Sequence, residues 1–154
     1  MLREKRAHLG KSGRLPGKRV FERNMEKKLI DANVILRYLL NDDKTLFEKA
    51  AALLEKVKTG EENVIIPESV LSECVYVLLK IYKIDRTTIS EKLRGLFSYK
   101  GVVNPDRKDL IDSLTLFGKT KISIVDCILC TKSLSHKMPL FTFDADLLKI
   151  TRHL

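Results

Sequence analysis

A chain of 154 residues, 44% of them hydrophobic, can bury one good core but is too short for two ordinary domains. It has no apolar run near the ~18 residues that a membrane span needs, and no basic, apolar, small-residue succession of a signal peptide opens it, so a soluble cytoplasmic protein is expected. The net charge of +9 is unevenly spread, because residues 1–28 hold ten Lys and Arg against three Glu.

Residues 1–24, "MLREKRAHLGKSGRLPGKRVFERN", combine high charge with Gly and Pro breaks and little apolar periodicity, the composition of a disordered arm or leader. Such an arm attracts nucleic acid electrostatically. Met25 nevertheless suits the start of a compact domain, so the expected division is an extension over 1–24 and one domain over 25–154.

From Leu29 onward, short apolar runs alternate with helical patterns, which predicts an α/β domain with a mainly parallel sheet. Leu29 and Ile30 open a strand, and Val34 to Leu40 continue as a short helix broken at Asn41-Asp42-Asp43. Leu46, Ala50, Leu53, Leu54 and Val57 recur at helical spacing until Gly60. Val64 to Ile66 form a second strand stopped by Pro67, and Val70, Cys74, Val77, Leu78 and Ile81 mark the next helix. Thr87 or Thr88 suits the cap of a helix bearing Ile89, Leu93, Leu96 and Phe97. Val102 and Val103 read as a third strand, residues 106–117 as a helix, and Ser123 as the cap of a helix from Ile124 to about Ser135. Leu140 to Phe143 are expected to form a fourth strand, with Asp144 at its end and a short helix beyond. Three cysteines, Cys74, Cys127 and Cys130, lack the partners of a zinc site or a secreted scaffold and read as reduced core thiols.

Ligands of open parallel sheets bind beyond the carboxyl ends of the strands, where Asp31 and Asp144 stand in "LIDAN" and "FTFDAD". Glu73 lies between Val70 and Val77, and Asp126 between Ile122 and Leu129, so both are expected near the inward stripes of their helices. Buried ionised carboxylates are costly unless paired or metal-bound, and no Lys or Arg shares those stripes. If the four converge to ~5 Å, each pair repels by roughly 3 kcal/mol at an effective dielectric of 20. Four oxygen donors without His or Cys suit Mg²⁺ or Mn²⁺, whereas an acid dyad or a glycosidase pair would use only two of them. Taken singly, each acid also fits a helix cap or a first-turn dipole role. Asn33 and Thr142 suit hydrogen bonds to ligating carboxylates as well as ordinary turn and strand positions, and Asp146 is a further acid beyond the strand tip.

The blocks "LIDANVILRYLLND", "IIPESVLSECVYVL", "SIVDCILCTKSL" and "LFTFDADLLKI" resemble, in order and spacing, the four motif blocks of PIN domains, and most of all the VapC-type toxin ribonucleases. The resemblance runs from about Leu29 to Ile150 and does not reach the basic arm. It implies a three-layer α/β/α fold with a short, mainly parallel sheet and an acidic pocket that binds Mg²⁺ or Mn²⁺ to cleave RNA. On the motif matches Asp31, Glu73, Asp126 and Asp144 take the acidic positions, Asn33 and Thr142 the neighbouring polar ones, and Asp146 can share or replace Asp144. The resemblance also implies a homodimer and a protein antitoxin. Arg37, Lys80, Lys119 and Lys121 are candidates for drawing RNA towards the acids.

Two other readings stay open. One is a PIN-like RNA-binding or scaffold module with little catalysis. The other is a different Mg-dependent phosphate hydrolase, although "FTFDADLL" leaves no room for the remaining dehalogenase-type motifs and "LIDANVIL" has Asn33 where a second Asp is needed. A dinucleotide-binding protein is disfavoured because no G-x-G-x-x-G follows the first strand.

Overall fold

The structure, a computed structural model, describes residues 26–154. The leader expected over 1–24, and the boundary at Met25, lie outside the described residues.

Strand β1 (Lys27–Leu29) leads through Ile30 and Asp31 into helix α1 (Ala32–Leu40), which ends where Asn41 turns left-handed at φ 49°. Helix α2 (Lys44–Thr59) starts at Asp43, whose carboxylate accepts from the Leu46 amide at 2.9 Å, and stops at Gly60, whose φ of 84° costs an L side chain dearly. Strand β2 (Asn63–Ile65) returns parallel to β1, with Lys28 opposite Val64. Then come α3 (Glu68–Tyr76), a π-helical turn (Val77–Ile81), α4 (Arg86–Phe97), α5 (Arg107–Lys119), α6 (Ile124–Ser135) and α7 (Ala145–His153).

The sheet is slighter than the apolar runs suggest. The third strand expected at Val102 and Val103 is a single parallel bridge from Val102 to Val64, with the Val103 amide donating to the Val64 carbonyl at 2.9 Å. Its approach is set by Gly101, where an added Cβ would stand 2.0 Å from the Glu62 carbonyl oxygen. The fourth strand expected at Leu140 to Phe143 does not form: the segment joins no ladder among the described residues, and Phe141 and Phe143 are 88% and 94% exposed. Apolar alternation is a strand signal only where a neighbouring edge takes up the amides and a core takes up the side chains.

The core runs from Ile35 and Leu36 of α1 through Leu54 and Val57, Val64 and Ile66, and Leu71 and Val75 to the buried faces of α4, α5 and α6. Ile89, Leu93, Leu96 and Phe97, the stripe expected on α4, are all buried. Each such side chain contributes about 1.5–3 kcal/mol by leaving water. Helix α3 touches both α1 and α6 and so joins the two ends of this core. None of the helices among the described residues is long and apolar enough to cross a membrane.

A buried carboxylate bonded to an exposed histidine gives the fold a pH dependence. His136 donates from Nε2 to Asp109 Oδ2 at 2.8 Å, and Asp109 is buried in α5. Burial alone would raise the Asp109 carboxyl, but hydrogen bonding to Ser135 and His136 and the charge of His136 hold it below its ordinary value. A depressed carboxylate stabilises the fold fully above its unfolded value, near 3.9, and loses that contribution as pH falls through the folded one. We therefore expect Asp109→Asn to cost about 1 kcal/mol at pH 7. Urea unfolding should show this gap closing as the pH is lowered towards about 3; a gap that stays constant with pH would contradict it.

Candidate active site

Asp31 stands just past β1 and caps α1, its Oδ1 accepting from the Val34 amide at 3.2 Å. Its carboxylate is exposed, as the end of a short strand turning into a helix requires. Beneath it lies Cys74 of α3, whose thiol is 3.9 Å from the Ala32 carbonyl oxygen. Burial, together with the negative charges of Glu73 and Asp31, pushes that thiol up to about 12. Asp31 and Glu73, 42 positions apart, therefore act on one buried sulfur.

Asp126 sits in the first turn of α6, the helix that packs on α3. Its backbone amide donates to Ser123 Oγ at 3.1 Å, and Ser123 Oγ donates to its Oδ2 at 2.8 Å, a reciprocal cap that fixes the carboxylate. Cys127 and Cys130, raised mainly by burial, also feel its charge. Asp144 caps α7, with Oδ1 accepting from the Asp146 and Leu147 amides at 2.9 and 3.1 Å, while Thr142 Oγ1 accepts from the Asp144 amide at 3.1 Å. Asp146 is exposed and lies 3.6 Å from Lys149. Asn33 is exposed beside Asp31 and lines a cavity of about 300 Å³ with Arg37 and Lys49.

The expected burial of the two helical acids needs correcting. Glu73 is exposed and Asp126 only half-buried. The inward stripe of α3 is Leu71, Cys74, Val75 and Leu78, and the wider π-turn after Tyr76 carries Ile81 out to solvent, so the Val70–Val77 line that brackets Glu73 is the margin of the stripe.

Among the described residues Asp31, Glu73, Asp126 and Asp144 have no cationic partner, whereas Asp42, Glu62, Asp106, Asp109 and Asp112 are all ion-paired. Nor, among the described residues, do any three His, Cys, Asp or Glu stand close enough to hold one ion. The contact of Cys74 Sγ with the Ala32 carbonyl places Asp31 and Glu73, the residues that precede each partner, near one another; Asp126 is on the adjoining helix, and Asp144 starts α7, which packs on α6. The donors suit a hard cation, because they are solvent-reaching carboxylates and the neighbouring thiols are buried and protonated.

Residues 28–153 match the sequence model of the family described as PIN domain. The chain belongs to the PIN domain family. It is also similar to a VapC ribonuclease of Aquifex aeolicus (strain VF5), 27% identical over 107 residues that span 69% of this chain and 78% of that protein. No solved structure matches it.

The four basic candidates of this PIN domain separate in space. Arg37 is tied to Asp42 at 2.6 Å, and Tyr82 donates to the same carboxylate at 2.8 Å. Lys119 lines a cavity between α5, α6 and the C-terminus, away from the α3 face. Lys80 and Lys121 share a third cavity with Ser72, the neighbour of Glu73, and Ser123, the partner of Asp126. The sequence reading missed two further residues of that cavity, Tyr76 and Arg86. Tyr76 had a visible signal, an aromatic set off the apolar stripe, whereas Arg86 is recognisable only through its long-range contacts.

Proposed function

We propose that this PIN domain is a divalent-metal-dependent ribonuclease, the toxin of a toxin–antitoxin pair acting in the cytoplasm as a homodimer restrained by a protein antitoxin. The observation that carries the reading is that Asp31 and Glu73 each immediately precede one partner of the contact between the Ala32 carbonyl and Cys74 Sγ, with Asp126 on the helix packed beside α3 and no cationic partner for these acids among the described residues. The similarity to a VapC ribonuclease supports RNA as the substrate and the antitoxin as the partner.

Asp31 and Glu73, with Asp126 on the adjoining helix and Asp144 or Asp146 at the start of α7, would hold Mg²⁺ or Mn²⁺ once the ion draws these acids closer together than they stand among the described residues. Such an ion supplies an activated water and charge stabilisation at a scissile phosphodiester. The chain's own work is to aim the carboxylates. The Val34 amide fixes Asp31, Ser123 fixes Asp126, and the amides of α7 fix Asp144. Acids alone repel RNA, so Lys80 and Lys121 on the adjoining cavity offset that charge and bring the backbone in.

The test is cleavage of a panel of structured and single-stranded RNAs with Mg²⁺, Mn²⁺ or EDTA, comparing the wild type with Glu73→Gln. Cleavage is expected with either metal and not with EDTA, and slower by at least ~10²-fold in the variant. Glu73 is exposed, so the variant should keep its stability to within about 0.5 kcal/mol. Absence of both RNA cleavage and calorimetric metal binding would overturn the proposal.

A further inference from the structure

The cavity between α3, the start of α4 and the N-terminus of α6 measures about 350 Å³, within the range of small-ligand sites. Its charged lining is one-sided: Lys80, Arg86 and Lys121 face it, and no Asp or Glu does. Arg86 is held in place there. Its guanidinium lies 3.7 Å over the Phe117 ring, Nε donates to the Phe117 carbonyl at 3.0 Å, and Nη2 donates to the Ile122 carbonyl. Both bonds go to neutral oxygens, and among the described residues the guanidinium has no carboxylate partner, so its charge is uncompensated within the cavity wall.

The opposite wall is one face of a helix. Ser72, Tyr76 and Lys80 follow at intervals of four, so they stack along α3 and into the π-turn. Tyr76, 62% exposed, lines the cavity with much of its ring open, and Val125 opposite is 52% exposed. Three cations suit a phosphate, and an exposed ring with an apolar rim suits the face of a base.

We infer that this cavity seats one unpaired nucleotide of single-stranded RNA beside the acidic residues, with Tyr76 as the stacking platform and Lys80, Arg86 and Lys121 taking the phosphate. A base stacked inside an A-form duplex cannot offer its face to Tyr76, so the site selects single strands. Ser123 lines the cavity and donates to Asp126 Oδ2 at 2.8 Å, which sets the cavity beside that acid, so the nucleotide seated here flanks the one at which the chain would be cut. The inference rests on the ribonuclease reading for the choice of RNA.

The experiment is fluorescence anisotropy of the full chain with a labelled single-stranded oligoribonucleotide of mixed sequence, and with its blunt duplex, in EDTA over a range of salt. The single strand should bind more tightly than the duplex. Tyr76→Ala should weaken single-strand binding about tenfold, whereas Tyr76→Phe, which keeps the ring, should match the wild type. Replacing Lys80 and Lys121 together by Ala should flatten the plot of log affinity against log salt by about 1.4, some 0.7 for each charge. Tyr76→Ala binding within about twofold of the wild type, or a duplex held as tightly as the single strand, would overturn the inference. Because EDTA separates binding from cleavage, ring-dependent binding without metal-dependent cleavage would leave this site standing and sink the ribonuclease reading. Cleavage with unchanged Tyr76→Ala binding would do the reverse.

Discussion

Asp31→Asn should slow metal-dependent RNA cleavage by at least ~10²-fold while leaving the protein folded. The substitution separates the two roles of this side chain. Asn caps helices about as well as Asp, so the bond to the Val34 amide at 3.2 Å survives. What is lost is the charge that Asp31 and Glu73 together place over Cys74. Even outright loss of a cap costs only about 1 kcal/mol against a total stability of about 5–15 kcal/mol, so the folded fraction would scarcely change and could not imitate a hundredfold loss of rate. Calorimetry with Mn²⁺ should show weakened binding in parallel, because a neutral amide is a poorer ligand for a hard cation. Unchanged cleavage by Asp31→Asn would reduce Asp31 to a cap and remove the first acid from the proposed site. Asp144→Asn applies the same logic to the acid least connected to the others, since its bonds to the Asp146 and Leu147 amides would also persist.

The helix starts that carry Asp31, Asp126 and Asp144 were legible in the sequence, because caps and first turns are local signals. Ser123 as the cap of α6, Gly60 as the end of α2 and the buried face of α4 are equally local, and all stand where the periodicity puts them. The environment of Glu73 was not legible. Two apolar lines run along this helix, Val70 to Val77 and Leu71, Cys74, Val75, Leu78, and only the packing of the whole fold shows that the second is the buried one, which leaves Glu73 outside. The segment from Leu140 to Phe143 fails for a different reason: strand formation needs a partner edge, which is a property of the whole fold. Arg86 looked like one more surface cation, yet it spans to Phe117 and Ile122, 31 and 36 residues away. Only tertiary contact distinguishes such a residue from the other Lys and Arg of a basic chain.

Asn104 was overlooked altogether, and its removal should have the largest effect on stability of any polar substitution considered. Its side chain imitates a neighbouring strand: Oδ1 accepts from the Ile66 amide at 2.9 Å and Nδ2 donates to the Ile66 carbonyl at 2.7 Å. Ile66 is completely buried, so Asn104→Ala leaves an amide and a carbonyl without partners in a place where water has little access. At about 1–3 kcal/mol for each orphaned group, the loss should reach roughly 2–4 kcal/mol, a fall in Tm of the order of 5–15 °C for a chain of this size. The consequence reaches the proposed site because Ile66 lies just before α3. Helices α1, α2, α4, α6 and α7 each begin on a side-chain cap, whereas α3, which begins at Pro67, and α5 do not. The clamp on Ile66 is what anchors the start of the helix that carries Glu73 and Tyr76. Asn104→Ala is therefore expected to lower both Tm and the cleavage rate of the protein that remains folded, while Ser98→Ala, at an exposed helix end, changes neither. A loss of stability below about 1 kcal/mol would mean that solvent or a relaxed backbone satisfies Ile66, and that α3 is positioned by its packing against α1 and α6 alone.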